Sequence, residues 1–183
     1  LLADVFREVV ETGRPDFPFC LCWANHSWYA KTWDPNIPDK LLIEQKYPGK
    51  EDYIAHFNEM LPAFKDKRYM KTSDGRLIFG VFSSYDNPDQ KLFFDTWNNL
   101  AEENGLNGFE FFAFIQGPKQ LAKLPKGLYD RVVYDALNDT YKQYSDHSFM
   151  RYKNSIKVRM GLPIKLANYS DYVSAAILRF KEL

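Results

Sequence analysis

The chain has 183 residues, enough for one well-buried domain and too few for two ordinary ones. A hydrophobic share of 45% against 26% charged excludes a disordered polypeptide. The 24 basic and 24 acidic side chains cancel without forming a basic stripe, so nucleic acid is not expected as a partner.

Residues 1–13, LLADVFREVVETG, place Leu2, Val5, Phe6, Val9 and Val10 at helical spacing, with Gly13 as the stop. FPFCLCWA, residues 17–24, is an apolar run of strand length. Its Cys20 and Cys22 are too close along one strand to pair with each other, and no other cysteine exists. They read as small core residues carrying reduced thiols, which fit a cytoplasmic compartment, while a chain that starts at Leu1 makes its lack of a signal-peptide pattern uninformative. Residues 25–49 lack a helical period and hold Pro35, Pro38, Pro48 and Gly49, so they read as a long loop with a short strand at 41–47.

KEDYIAHFNEMLPAFK, residues 50–65, has a helical apolar period, with Pro62 distorting its last turn. A Ser73-Asp74-Gly75 turn precedes a buried strand at 76–83. Residues 87–105 predict a helix capped by Asn87, with Pro88 in the first turn and Gly105 at the end. GFEFFAFIQG, residues 108–117, is a further apolar strand. After a short basic connection, residues 128–139 give a weaker fourth strand, 141–160 a helix, and 169–183 a second helix regular from Tyr172 on. No run of about 20 apolar residues is present, which excludes a membrane-spanning helix.

This alternation predicts the α/β class, with strands buried on both faces as in parallel sheets covered by helices. Both doubly wound and barrel architectures satisfy it, within one domain covering residues 1–183. No glycine-rich phosphate fingerprint follows any strand, and no cofactor is expected. The cysteines and histidines lack the partners that a metal site needs.

In either architecture ligands gather at the carboxyl ends of parallel strands. Those ends carry Asn25-His26-Ser27-Trp28, then Ser83-Ser84-Tyr85-Asp86, then Gln116, and finally Asp135, Asn138 and Asp139. Trp23, Trp28 and Trp33 fall within eleven residues at the first of them. Aromatic faces beside amides and carboxylates suit sugars, which offer apolar C–H faces and hydroxyls. Asn25, Gln45, Gln116 and Asn138 would bind the hydroxyls. Glycoside chemistry calls for a proton donor and a base or nucleophile. His26 with Asp86 or Asp135 is the candidate reactive set, whereas Glu110 sits near the amino end of its strand and reads as an internal ion pair.

FPFCLCWANHSWYAKTWD, LLIEQKY, HFNEMLPAFKDKRYMKTSDGRLIFGVF and TWNNLAEENGLNGFEFF together resemble the WbsX-like glycosyltransferase family, also described as glycoside hydrolase family 99-like. The resemblance runs from about Pro15 to Gln116. It implies a (β/α)8 TIM-type barrel acting on glycans in bacterial polysaccharide and lipopolysaccharide loci. A full barrel takes about 250 residues, so only part of one would be present here. The resemblance carries over Trp23, Asn25, Trp28, Trp33, Gln45 and Tyr47. Family members commonly have a glutamate where this chain has His26.

The leading expectation is therefore an enzyme that transfers or hydrolyses glycosyl groups of a bacterial surface polysaccharide. The alternative is a non-catalytic glycan-binding module on a degenerate barrel. Sugar donor, acceptor, linkage and oligomeric state are not encoded in any motif.

Overall fold

The computed structural model describes residues 3–32, 36–115, 118–135, 148–162 and 169–181. In chain order these form α1 (Ala3–Thr12), β1 (Leu21–Trp23), β2 (Trp28–Ala30), β3 (Lys40–Ile43), α2 (Lys50–Phe64), β4 (Leu77–Val81), α3 (Gln90–Glu103), β5 (Phe109–Ile115), α4 (Pro118–Leu121), β6 (Arg131–Tyr134), α5 (Ser148–Arg159) and α6 (Tyr169–Phe180). The chain is of the α/β class. Four strands form one sheet in the order β1-β4-β5-β6. Leu21, Cys22 and Trp23 lie beside Phe79, Gly80 and Val81, and Leu77 to Val81 lie beside Phe109 to Ala113, both in parallel. The backbone bonds Asp130 N to Phe111 O and Asp135 N to Ile115 O advance in step, so β6 runs parallel as well.

The core follows from alternation along these strands. Leu77, Phe79 and Val81 share a face with Phe109, Phe111 and Ala113, all buried. Both α2 and α3 pack on that face. From α2 come Tyr53, Phe57 and Phe64; from α3 come Phe93, Phe94 and Trp97. Their rings meet mostly edge to face, with Phe64 6.2 Å from Phe79 and Phe57 6.3 Å from Phe109, while Phe93 lies tilted 4.6 Å from Trp97. Such pairs contribute about 0.5–1.5 kcal/mol beyond their buried area. Trp97 is fully buried, and its indole N–H donates to Tyr53 O at 2.9 Å, so its polar atom is satisfied. Helix α2 runs through Pro62 to Phe64.

The opposite face bears Cys22, Gly80 and Phe112. A Cβ on Gly80 would stand 2.5 Å from Phe112 Cζ and 2.9 Å from Cys22 Sγ, so only glycine fits beside that ring. The expected burial of both cysteines is corrected here: Cys22 is exposed and Cys20 half-buried. Alternation puts Cys22 on the face away from the helices, where no described helix covers it. Burial is still enough to raise the Cys22 thiol to about 11, with Cys20 adding to the rise, which keeps it protonated.

Several boundaries differ from the sequence reading. The strand expected over 17–24 is regular only at Leu21–Trp23, with an isolated bridge from Phe19 to Tyr69. On the helix-facing side β4 and β5 are fully buried, while Ile78, Phe112 and Phe114 on their other face are half-buried; burial on both faces fails for β1 and β6. The loop over 25–49 contains an antiparallel ribbon of β2 and β3, and the strand expected at 41–47 stops at Ile43. Helix α3 begins at Gln90 after Asp89, so Pro88 precedes it and Asn87 is free for another task.

Charged groups tie the amino end of the sheet. Arg68 is buried and donates to Asp66, to Pro15 O at 2.8 Å and to Val9 O at 2.8 Å, fastening the end of α1. Glu110, also buried, forms the internal ion pair expected of it, with Arg76 at 3.1 Å and with Arg131. Arg76 reaches Asp74 and Asp130 as well.

By backbone proximity the chain divides into two compact units, residues 1–114 with 124–132 and residues 115–123 with 133–183. The sites discussed next belong to the first. In the second, Asp135 hydrogen-bonds Ile115 through its backbone, and α6 buries Ala176. No helix among the described residues is long and apolar enough to cross a membrane.

Candidate functional site

Parallel pairing sets Trp23 beside Val81, so the segments leaving β1 and β4 start next to each other. Asn25 closes the gap between them. It is fully buried, and its side chain spans the junction. Its Nδ2 donates to Ser83 O at 3.0 Å and to Tyr47 Oη at 3.1 Å, while its Oδ1 accepts from Ser83 N at 2.7 Å. Tyr47 Oη donates back to Asn25 O at 2.8 Å. Every hydrogen of the amide is used within the protein, so Asn25 holds the rim together.

The turn after β4 is gripped further along at Ser84 and Asn87. Ser84 is buried, with Oγ 3.1 Å from Val81 O and 3.2 Å from Phe114 O. Its own carbonyl accepts from Tyr129 Oη at 3.1 Å and from Gln90 Nε2. Asn87 Oδ1 accepts from Tyr53 Oη at 3.0 Å and from Asp89 N at 2.9 Å. Between these anchors the turn presents Tyr85 and Asp86, both exposed. Three elements and two loops thus fix one short segment, which aims a carboxylate and a phenol outward.

The electrostatics are consistent with this arrangement. Burial raises the phenols of Tyr47 and Tyr85, and the Asp86 charge pushes both further up. Burial raises Tyr53, with Asp89 and Asp52 adding to it, and burial raises Tyr129 most strongly. All four stay protonated at neutral pH and can donate hydrogen bonds. His56 lies edge-on between Trp23 at 5.1 Å and Trp97 at 5.0 Å, and desolvation lowers it to about 4. It is a neutral packing residue.

Of the residues singled out from sequence, Asn25, Tyr47 and Asp86 come together at this edge. Trp23 joins them through its edge contact with Tyr47 at 5.8 Å, although its indole also leans on Phe93 at 5.1 Å. His26 follows Asn25, with its ring 5.3 Å from Phe82 and its buried Nδ1 without a hydrogen-bond partner. Gln45 is tied at its backbone N to Ser27 Oγ and by its Nε2 to Lys46 O. Trp28 stands on the ribbon, 40% exposed, opposite Ile43. Asp135 lies in the other unit at the end of β6. Trp33, Gln116 and Asn138 lie outside the described residues. Sequence reasoning missed Tyr53, Gln90 and Tyr129. No local pattern marks them, because their roles arise only when α2, α3 and the segment before β6 meet the β4 turn. Among the described residues, no three His, Cys, Asp or Glu side chains gather to hold a metal.

Fold and edge together define an α/β protein with polar and aromatic side chains at the carboxyl rim of a parallel sheet. Residues 1–182 match the family described as glycosyltransferase WbsX, and the chain belongs to that family. Membership implies a carbohydrate-related function. The chain is also similar to two proteins, each called uncharacterized protein WxcX, from Xanthomonas campestris pv. campestris strains B100 and ATCC 33913. Identity is 32% over 102 residues in both cases, covering 55% of this chain and 14% of each relative. The chain thus matches only a small part of the length of these relatives. No solved structure matches it.

Proposed function

We propose that the chain is part of a (β/α)8-type barrel that transfers or hydrolyses glycosyl groups of a bacterial surface polysaccharide. The observation that carries this is the rim itself: Asn25, Tyr47, Ser83 and Ser84 are locked together so that Tyr85 and Asp86 project where a ligand would sit. Family membership supplies the substrate class. The barrel is supported by strands lying side by side in chain order, whereas a doubly wound sheet reverses its order. It is supported too by α2 and α3 sharing one face, which leaves Cys22, Gly80 and Phe112 facing what would be the barrel interior.

In this reading Asp86 and His26 act on the glycosidic bond. Asp135, which follows β6, is the alternative to Asp86 as the carboxylate partner of His26. Trp23, Trp28 and Trp33 stack on sugar faces, while Gln45, Tyr47 and Gln116 meet hydroxyls. A second reading, a glycan-binding module without turnover, is favoured by the histidine at position 26, since it cannot serve as the carboxylate that family members commonly carry there.

The test is a screen of fragments from bacterial surface polysaccharides, read as binding and as turnover by mass spectrometry. On any fragment turned over, Asp86→Asn is expected to lower the rate at least about a hundredfold with the fold intact. Unchanged turnover in Asp86→Asn, His26→Ala and Asp135→Asn would sink the residue assignment. Binding without turnover, followed by gain of turnover in His26→Glu, would establish the second reading. No response to any glycan would reject both.

A further inference from the structure

Charge at the carboxyl edge narrows the kind of glycan, and the argument rests on the glycan reading above. Two helices start at this edge, α2 at Lys50 and α3 at Gln90. A helix start has free N–H groups and draws phosphate, which is how many nucleotide sites work. Here carboxylates already stand at both starts. Glu51 and Asp52 occupy the first turn of α2; Asp89 is the residue before α3, with Asp86 three positions earlier. Of the lysines beside these starts, Lys46 is paired with Glu44 at 3.4 Å, and Lys50 is followed at once by Glu51 and Asp52.

Three guanidinium groups that could fork a phosphate are committed at the other end of the sheet. Arg68 holds Asp66, Pro15 and Val9; Arg76 and Arg131 hold Glu110.

A separate observation points to a neutral polar ligand. Asn87 and Gln90 are 4% and 6% exposed, and each has one amide atom without a hydrogen-bond partner: Nδ2 of Asn87, a donor, and Oε1 of Gln90, an acceptor. A hydroxyl is both donor and acceptor and can answer either. Tyr85, exposed on the turn after β4, adds an uncharged hydroxyl of the same hydrogen-bonding chemistry.

We infer that this edge takes an uncharged glycan and rejects the diphosphate of a nucleotide-activated sugar. Calorimetry and tryptophan fluorescence on the chain would compare neutral O-polysaccharide fragments of one to six sugars, fragments bearing a uronic acid, UDP, and inorganic pyrophosphate. Neutral fragments should bind, while UDP and pyrophosphate should not saturate below about 1 mM. Removing two charges with Asp86→Asn and Asp89→Asn should strengthen pyrophosphate binding by about tenfold or more, an effect that salt erases. Saturable UDP or pyrophosphate binding to the unaltered chain, in competition with neutral fragments, would overturn the inference and leave the glycan reading standing. So would binding confined to the uronic-acid fragments. No binding by any fragment would overturn both.

Discussion

Replacing Asn25 by alanine tests whether the rim is built as described. The amide makes three side-chain hydrogen bonds, two to the backbone of Ser83 and one to Tyr47 Oη. At about 1 kcal/mol net for each, their loss amounts to roughly 3 kcal/mol. Tyr47 keeps its bond to Asn25 O, and water can reach half-buried Ser83, so the expected cost is about 2–3 kcal/mol. For a chain of this size that is roughly 5–10 °C in Tm. Urea unfolding followed by tryptophan fluorescence should show an earlier midpoint with the slope unchanged. Asn25→Asp sharpens the test, because it keeps the acceptor for Ser83 N but turns an oxygen toward Ser83 O. In that buried place the carboxyl pKa must rise, so the folded state holds its proton more tightly than the unfolded one. Its stability deficit should therefore be smallest in acid and grow as pH rises through the carboxylate range. A loss below about 0.5 kcal/mol for Asn25→Ala, or a pH-independent deficit for Asn25→Asp, would refute the reasoning.

Two further outcomes follow from the packing. His56 is lowered to about 4 by desolvation, so between there and its ordinary value near 6.5 the unfolded chain binds the extra proton. Stability should fall by on the order of 2–3 kcal/mol as pH drops across that window, and His56→Phe should flatten the decline; Asp66, lowered to about 2 by Arg68, keeps its stabilising effect across that window and loses it only as pH falls further, from its ordinary value of 3.8 toward 2. Gly80→Ala drives a methyl into the Phe112 ring, at an expected cost of about 1–3 kcal/mol by thermal unfolding, and adding Phe112→Leu should recover part of it.

The elements with a strong apolar period were legible because the period is the cause of their burial. Tyr53, Phe57 and Phe64 recur along α2, and alternate residues of β4 and β5 face the same helices. The ribbon was not legible as a whole. Trp28, Tyr29, Leu41 and Ile43 are apolar yet exposed, so β2 offered no alternation of buried and solvated faces to read. Asn87 shows a second kind of failure. Its type and place suited a helix cap, but the Tyr53 hydroxyl, 34 residues away, takes the same oxygen and the helix starts later. Asn25 was legible as a site residue by position, while its use as a brace depends on Ser83, which only the parallel pairing of β1 with β4 brings near.

The two ends of the sheet divide the chemistry between them. At the amino end arginines and carboxylates neutralise one another around Glu110 and Asp66, so a charge there is committed to holding strands. At the carboxyl end the bracing is done by neutral groups, the amides of Asn25, Asn87 and Gln90 and the hydroxyls of Tyr47, Ser84 and Tyr129. Asp86 is therefore held in place through the backbone of its turn, and among the described residues no arginine pairs with its carboxylate. An exposed carboxylate on a rigid, uncharged mount can respond to a ligand; one locked in an ion pair cannot without first breaking it. That difference is the reason for assigning the proposed reactive edge to the end of the sheet where the braces are neutral.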